Sequence, residues 1–558
     1  MSPTTRCAIR RNSQRLCCRS SRAGNVDTRA TCAWFRCPFV SMRAAAVVLV
    51  VLVACAGSVA PTARQASPRE VPTPPIAVTT DRGVVIGSIN DGVREFLGIP
   101  FAAPPVGSLR WRPPELATAW TAPRQATHRG PACPQPEEGF PRDTSEDCLS
   151  LNVWIPDAAV GSLPVLFWIH GGGFYQGSGG DDLYDGARLA KRAQAIVVTT
   201  NYRLGPLGFG SHRALAAEQR RSVLPALGLL DQRAAMQWVQ RNIAAFGGDP
   251  AKVTVMGESA GAWSVCSHLA MPESRGLFAR AIMQSGACSD ALYFTPEMAN
   301  AQGDELATAV GCTGPDVAAC LRGKSASELA AALPFKRGLL LPPGVWWGPI
   351  VDGVELPTLP LAALRDGDFA RVPLMIGTAR DEGTIHTMRY DAVTGDELAG
   401  FVRGVFGEAA VAPVLARYTR PTRKAALTDI VTDGIFACNS RRVARLLSAR
   451  GVPVYLYQWT HALDAPPHVH ALGPTHGVDL FFVFGTTSLE VSASAAEQPL
   501  VELVQGRWAE FARTGQPGDG WPRYTTAGDA HFVLDLPPAI GAHLHQATCD
   551  FWDALARP

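Results

Sequence analysis

The chain has 558 residues, of which 47% are hydrophobic and 18% charged, and no internal repeat is visible, so a repeat array is excluded. The formal net charge of +2 reflects the N-terminus: residues 1–54 carry nine Arg and one Asp, and the remaining 42 basic and 48 acidic residues give a formal charge of −6. This acidic balance, without a basic stripe, excludes nucleic acid as a partner.

The N-terminal segment differs in composition from the rest of the chain. Residues 1–41 contain eight Arg, one Asp and five Cys without hydrophobic periodicity, so they cannot build a core. An Arg- and Ser-rich stretch resembles an organellar transit peptide, whereas Met42-Arg43 followed by the apolar residues 44–54 is typical of a bacterial signal peptide. We interpret residues 1–41 as a non-native upstream extension or disordered leader, and residues 42–54 as the signal peptide. The apolar run is shorter than the roughly 20 residues that a bilayer requires.

A cysteine follows the predicted signal peptide. Leu52-Val-Ala-Cys55 resembles a lipoprotein signal, in which Cys55 would carry a lipid and hold the protein in the bacterial cell envelope. Cleavage near Ala60 followed by secretion is the alternative. Residues 55–75, rich in Pro, Thr and Ala, are predicted to be a linker, and residues 76–558 to be the folded domain.

Several apolar segments lack the alternation of a half-exposed strand, which predicts strands covered on both faces. These segments are 165–169, 195–199, 253–256, 281–283 and 372–376. Between them, 229–245 is predicted to be a helix that begins near Asp231 and ends before Phe246-Gly-Gly-Asp-Pro250. The pattern predicts an α/β fold, a mostly parallel central sheet flanked by helices in a single domain with insertions.

A glycine-rich loop follows the strand at 165–169. The loop His170-Gly171-Gly172-Gly173-Phe174 lacks side chains that would cover its backbone N–H groups, which predicts an oxyanion hole. A phosphate-binding loop is disfavoured because neither a following Lys-Ser/Thr nor a Gly-x-Gly-x-x-Gly helix entry is present.

The strand at 253–256 ends in Gly257-Glu-Ser259-Ala-Gly261, and helical apolar spacing follows. This context predicts a strand-to-helix elbow with Ser259 as nucleophile, because Gly257 and Gly261 lack the Cβ atoms that would collide in so sharp a turn. The geometry of such an elbow also makes the N–H of Ala260 an oxyanion donor.

Further segments, taken with these two loops, resemble the type-B carboxylesterases, the cholinesterase-like branch of the α/β-hydrolases. The segments are Phe96-Leu-Gly-Ile-Pro-Phe-Ala-Ala-Pro-Pro105, Glu146-Asp-Cys-Leu-Ser-Leu-Asn-Val153, Asn201-Tyr-Arg-Leu-Gly205, Phe246-Gly-Gly-Asp-Pro250, Arg380-Asp-Glu-Gly383 and Gly473-Pro-Thr-His476-Gly477. The resemblance implies the α/β-hydrolase fold, the oxyanion donors Gly172, Gly173 and Ala260, and a triad of Ser259, Glu382 and His476. Together with the predicted signal peptide, it indicates a bacterial secreted or lipoprotein form.

The chain order Ser259, Glu382, His476 is the one expected for this fold. His476 would remove the Ser259 proton and later protonate the leaving alcohol, while Glu382 would fix the imidazole tautomer. The reaction predicted is hydrolysis of a carboxylic ester through an acyl-enzyme, without a cofactor. Glu258 is interpreted as a buried carboxylate that modulates the site electrostatically.

Export changes the interpretation of the cysteines, since an oxidising compartment lets them pair. The resemblance implies three disulfides: Cys133 with Cys148, Cys312 with Cys320, and Cys438 with Cys549. Cys266 and Cys288 lie in apolar surroundings near the catalytic layer and are predicted to be buried thiols, with a fourth disulfide between them as the alternative.

Fewer residues bear on the identity of the substrate than on the catalytic triad. The cholinesterases hold a cationic substrate over a tryptophan between their first paired cysteines, and residues 134–147 contain no Trp, so choline esters are predicted to be poor substrates. By the resemblance, Trp346 or Trp347 narrows the acyl side of the pocket; core packing of both is the alternative. Uncharged short-chain or aryl esters are predicted.

A metal site and other functions are the alternatives to this prediction. His468 and His470 with His476 resemble a metal-ligand set, but no acidic or cysteine fourth ligand lies near and the loop is irregular, so no metal is predicted. A carbamate or lactone hydrolase, or an acyl transferase, would use the same triad, and a non-catalytic adhesion protein would have lost part of it.

Overall fold

The computed structural model describes residues 76–136, 143–159, 161–333, 346–488 and 491–555. These residues fall within one structural unit, Pro72–Pro558. The predictions for residues 1–75, including the signal peptide, the linker and Cys55, lie outside the described residues.

The described strands form one sheet, in the order β1-β2-β3-β5-β7-β6-β8-β9-β10-β11-β12-β13, with β4 paired to β2. The strands are β1 Ile76–Thr79, β2 Val84–Asn90, β3 Val93–Pro100, β4 Arg124–Gln125, β5 Ser150–Pro156, β6 Leu163–Ile169, β7 Ile196–Thr200, β8 Gly248–Glu258, β9 Arg280–Gln284, β10 Leu374–Ala379, β11 Val454–Trp459, β12 Ala530–Leu534 and β13 Ala539–Ala542. Along the main strand order, pairing is parallel from β7 through β12 and antiparallel towards both ends, while β4 pairs parallel to β2. The predicted mostly parallel sheet is confirmed.

Both faces of the central strands are covered. In β6, Val165 and Phe167 belong to one hydrophobic core, while Leu166 and Trp168 belong to the core on the other face. Successive side chains of a strand point to opposite faces, so a strand between two cores is apolar throughout. This explains why the predicted strands showed no alternation.

The α-helices follow β6 in the chain and lie between the later strands and after the last one. The α-helices are α1 Ala187–Ala193, α2 Gly205–Phe209, α3 Arg213–Ala217, α4 Leu227–Asn242, α5 Ala260–Ala270, α6 Pro296–Ala309, α7 Val317–Gly323, α8 Ala326–Ala331, α9 Pro360–Asp366, α10 Gly383–Thr387, α11 Gly395–Phe406, α12 Glu408–Arg417, α13 Arg423–Ile430, α14 Cys438–Ala449, α15 Pro467–His470, α16 Leu480–Val483, α17 Gln498–Thr514 and α18 Gln546–Leu555. A π-helical segment, Val431–Ala437, joins α13 to α14. Within the described ranges, no helix combines the length and apolar character needed to cross a membrane.

Helix α4 begins earlier than predicted. It starts at Leu227, and a 3₁₀ turn, Ile243–Phe246, follows its end. Asp231 is not near the N-terminal cap but is fully buried inside the helix, where it accepts two hydrogen bonds from the guanidinium of Arg203 at 2.7 and 2.8 Å. The polar residue that suggested a helix start is therefore half of a buried ion pair.

Candidate active site

The elbow forms where β8 meets α5. Ser259 lies between them with φ +55°, in the left-handed region that disfavours side chains, and its N–H donates to Gln284 O at 3.0 Å. A Cβ on Gly257 would stand 2.5 Å from the backbone carbon of Gly261, and a Cβ on Gly261 would stand 2.0 Å from Ile169 O. The strained turn thus depends on both glycines, as the sequence predicted.

The glycine-rich loop after β6 lies against the elbow. A Cβ on Gly171 would stand 3.1 Å from Cβ of Ser259. Gly172 and Gly173 have φ of +97° and +61°. In the described part of the chain, the N–H groups of Gly172, Gly173 and Ala260 donate to no protein acceptor. One of these N–H groups is on the residue after Ser259 and two are in the loop that lies against it, and donors of this kind can hold a developing negative charge.

His170 anchors this loop rather than taking part in proton transfer. Its ring is buried and stacks on Tyr202 with centroids 4.3 Å apart, and Tyr202 donates its hydroxyl to His170 O at 2.9 Å. Burial lowers the pKa of His170 to about 4, so the imidazole is neutral at neutral pH.

Glu382 lies in the turn after β10, which ends at Ala379, and is fully buried. Its Oε1 accepts hydrogen bonds from Thr378 Oγ1 at 2.8 Å and from the N–H of Ala379 at 2.6 Å. Its Oε2 lies 2.5 Å from Nδ1 of His476. Every oxygen of this carboxylate is therefore satisfied, and one of them orients the imidazole.

The loop that carries His476 is tied to the loop that carries Glu382. Thr384 donates its hydroxyl to Leu472 O at 2.8 Å and also contacts Thr475 Oγ1 at 2.7 Å. Asp381 donates its N–H to Pro474 O at 3.0 Å. These cross-links bring together two residues that are 94 positions apart in sequence.

The other ring nitrogen of His476 faces the elbow. Nε2 lies 3.0 Å from Oε1 of Glu258, the residue before Ser259. In the part of the chain that the structure describes, the Ser259 hydroxyl has no hydrogen bond to His476. Catalytic hydrogen bonds are often loose without substrate and tighten in the complex.

Three buried carboxylates surround the imidazole: Glu258, Glu382 and Asp479. Burial raises the pKa of Glu258 to about 8, and that of Asp479 to about 6 although Asp479 accepts a hydrogen bond from Gln284 at 2.8 Å. For His476, burial lowers the pKa, but Glu258 and Glu382 outweigh it and raise the pKa to about 9. His476 and Glu258 therefore each retain a proton to a higher pH than in water.

An aromatic wall flanks the imidazole. Phe436, from the π-helical segment, and His386, from α10, each lie 4.7 Å from the His476 ring, measured between centroids. Trp263 of α5 stacks on Phe436 at 6.0 Å.

The sequence did not predict Phe436, His386 and Asp479 as site residues. No motif marks them, because they reach the site only when distant segments pack together. A π-helical turn, often found at functional sites, was also not visible in the sequence.

Trp346 and Trp347 both pack against hydrophobic clusters. Trp347 is buried beside Gly205, and together with Tyr175 and Pro206 it lines a cavity. Trp346 accepts a hydrogen bond at its backbone oxygen from Gln302 at 2.8 Å. A contact with the acyl group is therefore still a prediction for either tryptophan.

His468 and His470 lie on α15. Among the described residues, the aromatic rings that contact His476 are those of His386 and Phe436, and not those of His468 or His470. His470 Nδ1 is 2.8 Å from Leu463 O. Over the described ranges, no group of three or more His, Cys, Asp or Glu residues is arranged to hold a metal ion.

Four disulfides are present in the described residues. The bridges Cys133–Cys148, Cys312–Cys320 and Cys438–Cys549 match the predicted pairs. The prediction that Cys266 and Cys288 are thiols is wrong: their Cα atoms are 5.5 Å apart and their sulfurs are bonded. Cys266 lies on α5 and Cys288 just after β9, so the parallel packing of neighbouring βα units brings together two cysteines whose apolar surroundings suggested thiols.

The comparisons with known proteins agree with this geometry. The model of the carboxylesterase family matches residues 74–552. The chain belongs to the carboxylesterase family. This carboxylesterase is 37% identical over 481 residues to the para-nitrobenzyl esterase of Bacillus subtilis strain 168, covering 82% of the chain and 94% of that relative. It is 35% identical over 520 residues to the acetylcholinesterase of Bungarus fasciatus, covering 85% of the chain and 84% of that relative.

Solved structures show the same fold. One PNB esterase structure has a TM-score of 0.77 at 35% identity, covering 85% of this chain and 99% of that one. A thermophilic PNB esterase also has a TM-score of 0.77, at 34% identity and with the same coverage of both chains. The carboxylesterase therefore has the α/β-hydrolase fold and is a carboxylic ester hydrolase of the serine hydrolase type. The relatives do not favour an acyl transferase, a lactone or carbamate hydrolase or an adhesion protein.

Proposed function

We propose that Ser259 is the nucleophile, His476 the general base and acid, and Glu382 the orienting carboxylate of this esterase. The observation that carries the proposal is the 2.5 Å contact between Glu382 Oε2 and His476 Nδ1, which leaves Nε2 facing the elbow that holds Ser259. Glu382 is fully buried, which strengthens its interaction with the imidazolium that forms during attack.

In the first half of the reaction, Nε2 of His476 takes the proton of Ser259 Oγ as the oxygen attacks the ester carbonyl carbon. The carbonyl oxygen becomes an oxyanion that accepts hydrogen bonds from the N–H groups of Gly172, Gly173 and Ala260. The intermediate then collapses, the bond to the alkoxy oxygen breaks, and His476 gives its proton to the departing alcohol. Water repeats these steps on the acyl-enzyme and releases the carboxylic acid.

The test compares Ser259→Ala with Ser327→Ala, which removes the hydroxyl of an exposed serine on α8. Ser259→Ala should lose nitrophenyl butyrate hydrolysis by a factor of about 10⁴ or more while it keeps its thermal unfolding curve. An organophosphate should add one phosphoryl group to the peptide that contains Ser259. Unchanged turnover in Ser259→Ala, or labelling at another serine, contradicts the proposal.

We infer that the substrates are uncharged short-chain or aryl esters. Residues 134–147 supply no tryptophan for a cationic group, and one relative is named for para-nitrobenzyl esters. Trp346 or Trp347 would limit the size of the acyl group. Nitrophenyl acetate or butyrate should be cleaved with a higher kcat/KM than acetylthiocholine or butyrylthiocholine, and the reverse order rejects this assignment.

We infer that the protein is exported. Four disulfides support an oxidising compartment, since such bonds rarely persist in a reducing cytosol. We assign residues 42–54 to a signal peptide, Cys55 to a lipid anchor, 55–75 to a linker and 76–558 to the catalytic domain. Radiolabelled palmitate should enter the wild-type protein and not Cys55→Ser. Release of both proteins without label supports cleavage near Ala60 and secretion instead.

A further inference from the structure

The ring of His386, beside the proposed base His476, has a buried nitrogen that makes no hydrogen bond to the described residues. Its Nε2 is shielded from solvent and, among the residues that the structure describes, has no hydrogen-bond partner. The same holds for Nε1 of Trp263. Buried polar atoms are almost always paired, because an unmade hydrogen bond leaves the cost of desolvation without compensation. Two such nitrogens in one aromatic wall therefore call for an explanation.

Both rings belong to the wall that flanks His476. The His386 ring stacks on Phe436 at 5.6 Å with an interplanar angle of 6°, and Trp263 stacks on the same phenylalanine at 16°. The centroid of the His386 ring is 4.7 Å from that of His476. Because His476 is the proposed base for Ser259, a substrate that reacts at Ser259 lies close to His476. One of its two arms, the acyl chain or the alkoxy group, can then lie against this wall.

The charge on these groups defines what they can bind. Burial, assisted by the charge of His476, lowers the pKa of His386 well below its usual value, so the ring is neutral. A neutral imidazole has one N–H donor, and an indole is a donor only. The carboxylates of Glu382 and Asp479 near His476 disfavour an anionic partner by repulsion. An uncharged oxygen acceptor fits this environment.

We propose that His386 is a specificity-determining residue whose Nε2–H donates a hydrogen bond to an uncharged oxygen on the substrate arm beside His476. The substrate class is therefore esters with an ether, keto or hydroxyl oxygen in that arm, in preference to plain hydrocarbon esters. The inference rests on the proposed function, since it places the reacting carbonyl at Ser259. A site built to bind such an oxygen disfavours the analogue that lacks it, because the donor is then left unpaired.

Isosteric ester pairs test the proposal. Nitrophenyl methoxyacetate and nitrophenyl butyrate differ by one oxygen in place of a methylene on the acyl side. Methoxyethyl butyrate and butyl butyrate differ in the same way on the alcohol side. After correction for alkaline hydrolysis rates, the wild-type enzyme should prefer the oxygenated member of one pair by about tenfold in kcat/KM.

His386→Phe keeps the ring stack and removes the donor, and it should abolish this preference. His468→Phe makes the same change at an exposed histidine on α15 and should leave the preference intact. An equal loss of activity on both members of a pair, or an unchanged ratio in His386→Phe, overturns the proposal. If His386→Phe does not fold, the wild-type ratios decide, since a corrected preference below about twofold in both pairs also overturns it.

Failure of this inference can be distinguished from failure of the proposed function. If Ser259→Ala is inactive and the wild-type enzyme shows no oxygen preference, only the role of His386 is rejected. If Ser259→Ala retains the wild-type rate on all four esters, the nucleophile assignment fails, and with it the geometry on which the inference depends.

Discussion

Nε2 of His476 lies 3.0 Å from Oε1 of Glu258, and Nδ1 of the same ring lies 2.5 Å from Oε2 of Glu382. The imidazole is therefore held between two carboxylates, one on each ring nitrogen. Glu382 orients the ring without competing for Nε2, whereas Glu258 occupies the nitrogen that must take the proton of Ser259. The two carboxylates should thus have different effects on catalysis.

Glu258→Gln should move the acidic limb of the kcat/KM profile to lower pH. Hydrolysis requires neutral His476, so kcat/KM rises as the pH passes the pKa of that imidazole, which is raised to about 9. Removal of the Glu258 charge removes one cause of the increase, and the limb should fall by about 1 to 3 pH units. Glu502→Gln, at an exposed carboxylate, provides the control. If the acidic limb of kcat/KM has the same midpoint pH in Glu258→Gln and in the wild type, Glu258 does not raise the pKa of His476.

Glu382→Gln should lower kcat far more than it changes the pH profile. The amide can present an N–H to Nδ1 and stabilise the wrong tautomer, and a loss of about 10⁴ in kcat is expected from the general behaviour of such triads. Thr378→Val removes only the hydroxyl that donates to Oε1, while the N–H of Ala379 remains. A graded loss of about tenfold is expected for that variant. Equal effects of the two substitutions in steady-state assays argue against an orienting role for Glu382.

The sequence predicted those parts of the molecule that have a local signature. The strand segments, the elbow and the glycine loop depend on hydrophobic runs and glycines that are contiguous in the chain. The positions of Phe436, His386 and Asp479 depend instead on how distant segments pack. The start of α4 was misplaced because a buried aspartate paired to Arg203 has the same sequence appearance as an N-cap.

The cysteines illustrate the same limit. Pairing of three bridges followed from resemblance to a family, and the fourth had no such precedent in the sequence. Cys266 and Cys288 are 22 residues apart, and only the packing of α5 beside β9 brings their sulfurs together. Apolar surroundings are shared by buried thiols and buried disulfides, so composition around a cysteine does not separate them.

Replacement of Cys266 and Cys288 by alanine should lower the free energy of unfolding by about 2 to 4 kcal/mol, since the bridge restricts the unfolded chain. The loop closed by Cys438 and Cys549 spans 111 residues, and loss of that bridge should cost more, on the order of 4 to 5 kcal/mol. Denaturant titrations of both double variants give the comparison. Peptide mapping without reductant should recover a cross-linked Cys266–Cys288 peptide, and alkylation of both cysteines as free thiols rejects the bridge.

Gly261→Ala should prevent the elbow from forming. Its Cβ would stand 2.0 Å from Ile169 O, a backbone atom at the end of β6 that cannot move without disturbing the sheet. Gly506→Ala is the matched control, because Gly506 lies inside α17 with no heavy atom within 4 Å of the new Cβ. Alanine at that helical position should raise the free energy of unfolding by about 0.5 to 1 kcal/mol. Denaturant titration measures both effects, and nitrophenyl butyrate hydrolysis reports on the elbow. A stable and fully active Gly261→Ala protein is incompatible with the close approach of the elbow to β6.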